Sequence, residues 1–138
     1  MTLGISEILE KASKLRKKED KIKFLRDNNS PSLRLVLQFA LHPNVHVLLP
    51  EGPAPYQRND LADENFGMLY SEAKKLYLFC DGGNPNLSQT KREMLFIQML
   101  ETIHSKDADL LIAAKDKTLP YKGLNKQIVE EAFPDIFQ

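Results

Sequence analysis

Residues 106–133 read KDADLLIAAKDKTLPYKGLNKQIVEEAF, and this stretch decides the fold. Leu110, Leu111 and Ala114 share one face of a helix predicted over Ala108 to Lys115, with Ser105 or Asp107 placed to cap it. Ile128, Val129, Ala132 and Phe133 share one face of a second helix, predicted over Asn125 to Phe133 and closed by Pro134. Between them lies the tight loop Leu119-Pro120-Tyr121-Lys122-Gly123-Leu124-Asn125-Lys126.

The same periodicity continues upstream. A helix is predicted from about Ser88 to His104, capped by Ser88, with Phe96, Met99, Leu100 and Ile103 as its stripe. Tyr70 to Cys80 reads as another, ended by Asp81-Gly82-Gly83-Asn84-Pro85. At the start of the chain, Ile5, Ile8, Leu9, Ala12 and Leu15 predict a helix over Ile5 to Arg16, and Glu19 to Arg26 a short second one. Ser30 and Pro31 suit the cap and first turn of the next, Ser32 to Leu41. Leu33, Leu35, Val36, Leu37, Phe39 and Ala40 make it apolar nearly all round, which predicts a buried hub. Residues from about 43 to 65 are irregular: Val45 to Leu49 suits a short extended piece, and Pro50, Gly52, Pro53 and Pro55 forbid regular structure. The expectation is one all-α domain over residues 1–138, a compact bundle of about seven helices with one long Pro-rich loop.

Composition narrows the function. Lys plus Arg number 19 and Asp plus Glu number 19, so any nucleic-acid contact must rest on a local basic patch. One cysteine, Cys80, cannot form an internal disulfide, and no apolar run approaches the ~18 residues of a membrane span. The residues MTLGISEILEKASK lack an apolar signal core, so the chain is expected in the cytoplasm. Neither GxxxxGK[ST] nor GxGxxG occurs, which with the other residues predicts a protein that is not an enzyme and takes no cofactor. His42 and His46 have a metal-like spacing, but Pro43 breaks the helix between them and no third ligand is near in sequence. Cys80 suits a buried structural thiol, and a polar loop accounts for Asp60, Asp63 and Glu64.

Two basic stretches stand out. In the first, Lys122 to Lys126, Gly123 permits close backbone approach, and the unpaired amides of the following helix favour an anion. Lys122 and Lys126 oppose the dipole of that helix, as a functional site often does; a solvated Lys126–Glu130 pair is the plainer alternative. The second is the knot Lys14, Arg16, Lys17 and Lys18, extended by Lys21, Lys23 and Arg26. It suits a phosphate backbone, or else a solvated surface balanced by Glu10, Glu19 and Asp20.

Residues 107–137, DADLLIAAKDKTLPYKGLNKQIVEEAFPDIF, resemble the end of the helical N-terminal, DNA-binding domain of ATP-dependent DNA ligases. Leu119, Lys122-Gly123-Leu124, Ile128-Val129 and Ala132-Phe133 fall at places comparable with that family's helix, loop and helix. Phe66-Gly67-Met68-Leu69 is similar to the segment that introduces the middle helix in short tailed-phage ligases. The family's loop arginine gives way here to Pro120-Tyr121-Lys122, and the adenylated-lysine motif Lys-x-Asp-Gly is absent. The resemblance therefore implies a free-standing relative of that domain, phage-encoded and acting in the host cytoplasm, without ligase activity. It implies that Lys122, Gly123, Asn125 and Lys126 hold duplex or nicked DNA phosphate, with Lys14, Arg16, Lys17 and Lys18 as a second touch. The alternative is a protein-interaction module that meets a replication component, such as a sliding clamp or polymerase, or a host factor. Neutral net charge and the Pro-rich segment Leu49 to Tyr56 favour that alternative.

Overall fold

The computed structural model describes residues 3–58 and 66–138. Asp60, Asp63 and Glu64, assigned above to the irregular loop, lie outside the described residues. The described chain is an all-α bundle: α1 (Ile5–Lys14), α2 (Lys18–Asp27), α3 (Pro31–Leu41), α4 (Met68–Glu72), a 3-10 helix (Ala73–Phe79), α5 (Gln89–Thr102), α6 (Ser105–Lys115) and α7 (Lys126–Ala132).

Helix α3 is the hub. Its start follows from local chemistry, because the Ser30 hydroxyl accepts from the Leu33 amide at 3.1 Å and Pro31 occupies the first turn. Leu33, Val36, Leu37, Phe39 and Ala40 are buried against α6, α4 and the 3-10 helix, whereas Leu35 is exposed. Each large side chain so buried contributes about 1.5–3 kcal/mol. Around this hub, α1 packs on α2 and α6, and α2 packs on α7. The first helix ends at Lys14 rather than Arg16, because Leu15 turns to extended backbone and lets α2 fold back.

Two elements differ from the sequence reading. The helix expected from Tyr70 to Cys80 begins at Met68 as α4 and tightens into the 3-10 helix. A 3-10 helix rises about 2.0 Å per residue against about 1.5 Å, so it carries the chain further. It delivers Phe79 and Asp81 to the extended segment before the prolines: Leu48 donates to the Phe79 carbonyl and Asp81 to the His46 carbonyl, both at 2.8 Å. Val47 and Cys80 thereby form an isolated antiparallel bridge. Second, α6 starts at Ser105, and its cap is His104, whose Nδ1 accepts from the Lys106 amide at 3.0 Å.

The described part of the Pro-rich segment is a strap fastened to the bundle. Gln89 Nε2 donates to the Leu48 carbonyl at 2.7 Å. Lys115 Nζ donates to the Gly52 carbonyl at 2.6 Å, the Gly52 amide to Asp116 at 3.1 Å, and the Gln57 amide to Glu101 at 2.8 Å. The prolines lack amides to pair, so side chains from α5 and α6 and the residue just beyond do the fastening.

Candidate functional site

Lys14 and Lys122, one residue from each basic stretch, meet at one corner. Gly123 lies flush on the end of α1, where an added Cβ would overlap the Ser13 carbonyl. Lys21 of α2 reaches the same residue and donates to the Gly123 carbonyl at 2.6 Å. Glycine is thus required at 123 for close approach to another helix. With the loop held there, Lys122 and Lys14 line a single cleft of about 480 Å³, joined by Lys106 from the start of α6.

Neighbours divide the basic residues into engaged and available ones. Lys14 pairs with Glu10 at 3.0 Å and Lys18 with Glu131 at 2.6 Å, both exposed pairs. Arg16, Lys17 and Lys122 are exposed and make no ion pair among the described residues. Lys126 faces a different neighbour, with its ammonium 5.6 Å from the centre of the Phe137 ring. Asn125 caps α7 with its own oxygen, which accepts from the Ile128 amide at 2.9 Å. Of the loop residues, Lys122 and Gly123 therefore join the Lys14 corner, while Asn125 and Lys126 are engaged by α7 and the segment after it.

The sequence reading named Lys21 and Tyr121 within its two stretches but missed Ser6, Lys106 and Asp107 as parts of or neighbours to this corner. Asp107 lies in the first turn of α6, yet its Oδ1 accepts from the Ser6 amide at 3.2 Å and so caps the start of α1. Burial pushes the Asp107 carboxyl above the usual carboxylate range, against the Ser6 hydrogen bonds and the nearby His104. Burial also pushes the Tyr121 phenol up, helped by Asp107, Glu10 and Asp109, so Tyr121 stays a neutral hydroxyl. The hydrogen bond and charge of Lys14 hold Glu10 below its ordinary value. The signal available in the sequence was an Asp inside an apolar run, DADLL.

His42 and Cys80 are otherwise engaged. His42 Nδ1 accepts from the Asn44 amide at 3.0 Å, and among the described residues no group of three His, Cys, Asp or Glu could hold a metal ion. Burial raises the Cys80 thiol, which donates to the Leu76 carbonyl at 3.5 Å.

Residues 8–121 match a family described as a family of unknown function, DUF6433. The chain belongs to that family. The match takes in the Lys14 to Lys18 corner and ends at Tyr121, just before Lys122. No curated protein and no solved structure matches the chain. Among the described residues, no helix is long and apolar enough to cross a membrane.

Proposed function

We propose that this chain is a non-catalytic accessory protein of phage replication or repair that binds the phosphate backbone of duplex or nicked DNA. Lys14, Arg16, Lys17, Lys18 and Lys122 carry the binding, with Lys21 holding Gly123 and its loop in position. One observation supports the reading above others: the Lys21 to Gly123 hydrogen bond at 2.6 Å holds the Lys122 loop against the helices that carry the other basic run, so that Lys122 and Lys14 line one cleft. A chain of zero net charge needs such a local concentration to attract a polyanion. The likeness to the ligase DNA-binding domain fits the same surface.

Fluorescence anisotropy with nicked, intact and single-stranded DNA at two salt concentrations tests it. Binding to the duplex forms should fall with salt by about −0.9 in log–log slope per phosphate contacted. Lys17→Glu together with Lys122→Glu should remove it. An affinity untouched by both changes would sink the assignment.

A second reading is an interaction module for a replication or host protein. The strap and α5 enclose an apolar groove of about 200 Å³, lined by Pro53, Pro55, Met94 and Ile97, with Met94 48% exposed. A partner retained after nuclease treatment and lost on Met94→Glu would favour this reading over the first.

A further inference from the structure

The Pro-rich strap lies on the bundle without being buried in it. Between Leu49 and Gln57 every residue is half-buried or exposed, and Leu49, Ala54 and Tyr56 rest on the core from outside. Helix α3, by contrast, sinks Leu33, Val36, Leu37, Phe39 and Ala40 into the interior. Lifting the strap therefore leaves no cavity in the core, whereas lifting α3 would leave a large one.

One clasp sets the position of the strap. Lys115 and Asp116 are consecutive and hold both polar groups of Gly52. The Lys115 ammonium donates to the Gly52 carbonyl at 2.6 Å, and the Gly52 amide donates to the Asp116 carboxylate at 3.1 Å. The same carboxylate accepts from the Lys115 ammonium at 2.9 Å, with 3% of the lysine side chain exposed. Gly52 meets both through a left-handed backbone, at φ +89°. Bonds to charged groups are roughly twice as strong as neutral ones. Before the clasp, the Leu48 amide is tied to the Phe79 carbonyl at 2.8 Å. After it, the Gln57 amide donates to Glu101 of α5 at 2.8 Å.

The strap also builds one wall of the groove beside α5. Leu49, Pro53 and Ala54 line that wall, and Met94, Phe96 and Ile97 line the other. The groove therefore exists only while the strap is down. With the strap lifted, the three α5 side chains form an open apolar face.

We propose that the strap is a lid, hinged at Leu48 and latched at Gly52, that opens as one unit while the helical bundle stays folded. The latch selects between two surfaces of α5, a narrow groove and a bare apolar face. The lid goes beyond both readings of function, since it operates with or without a partner. A ligand that fits one surface better shifts the lid by its difference in affinity for the two.

Amide hydrogen exchange of the full chain, read residue by residue by NMR, tests the lid. Asp116→Asn weakens the latch and leaves the Gln57 bond to Glu101 untouched. It should speed exchange at Gly52 and Gln57 by the same factor, at least about fivefold. The Leu48 amide in the hinge and the Val36 and Leu37 amides in α3 should keep their parent rates. Gly52→Ala is a second variant, and it removes no bond. Nothing lies within 4 Å of the added Cβ, so only the positive φ is strained. It should speed exchange at Gln57 by at least about fivefold as well. Acceleration at residue 52 alone would show a local fray, and equal acceleration at Leu48 or in α3 a wider loss of structure. Either result, or a parent rate at Gln57 in either folded variant, would overturn the proposal.

Discussion

Gly123 rests on Ser13 with no room for a side chain, since a Cβ would overlap the Ser13 carbonyl oxygen. The obstacle is backbone of α1, which cannot swing aside as a flexible side chain would. Gly123→Ala should destabilise the protein by about 1–3 kcal/mol, the usual range for an overpacked contact. It should also loosen Lys122 from the Lys14 corner. Denaturant unfolding checks the first effect, and duplex affinity measured on the folded variant checks the second.

Asn125 distinguishes a cap from a ligand contact. Its oxygen is already taken by the Ile128 amide. Asn125→Ala should cost about 1 kcal/mol, while Asn125→Asp should keep most of the stability because aspartate caps as well as asparagine. Chemical denaturation of the two variants reads the difference. Equal loss in both would mean that the side chain acts through something other than its oxygen.

Arg26 closes the other end of α7. Its Nε donates to the Ala132 carbonyl at 2.9 Å and its Nη2 to the Glu131 carbonyl at 2.8 Å, satisfying acceptors the helix leaves open. Arg26→Ala should cost about 1–2 kcal/mol and speed amide hydrogen exchange in α7 more than in α3. Arg26→Lys should fall between, because one ammonium cannot reproduce the fork. Uniform acceleration across the bundle would contradict a local role.

Asp107 gives the protein an acid-side stability term of unusual sign. Burial raises its folded-state carboxyl above the ordinary value, so the folded chain holds that proton more tightly than the unfolded one. The resulting stabilisation is fully present below the ordinary carboxylate range and is lost as pH rises through the raised value. Asp107→Asn keeps an acceptor for the Ser6 amide and removes the buried charge. Its stability relative to the parent should therefore be greatest near neutral pH and shrink on acidification. Melting curves from neutral pH down through the carboxylate range measure this, and a difference that grows on acidification would refute it.

Much of the bundle was legible because its signals are local. Ser30 and Ser88 each cap the helix that follows them, and the stripe of α3 marked it as the hub, whereas Asn125, read as the first residue of its helix, is the cap. Tertiary partners decided the rest. The 3-10 helix is drawn out by bonds to residues 46–48, which its own sequence does not announce. Asp107 looked like a cap for its own helix and caps α1 instead. Lys14 and Lys122 were each visible as cations, but only the fit of Gly123 on Ser13 brings them to one cleft. Gly123 itself was noticed for a loop that cradles an anion, whereas its neighbour is another helix.

The fastenings of the strap have a consequence for the order in which the chain assembles. Each joins positions far apart in sequence, from 41 residues between Leu48 and Gln89 to 64 between Gly52 and Asp116. Loops of that length close only after the helices that supply the fasteners have formed. Among the described residues, the strap is then expected to settle after those helices and to lift before them. In the native state its release is a sub-global opening that leaves the α3 hub intact. A protease acting on native protein would cut between Leu49 and Tyr56 before it reached any helix.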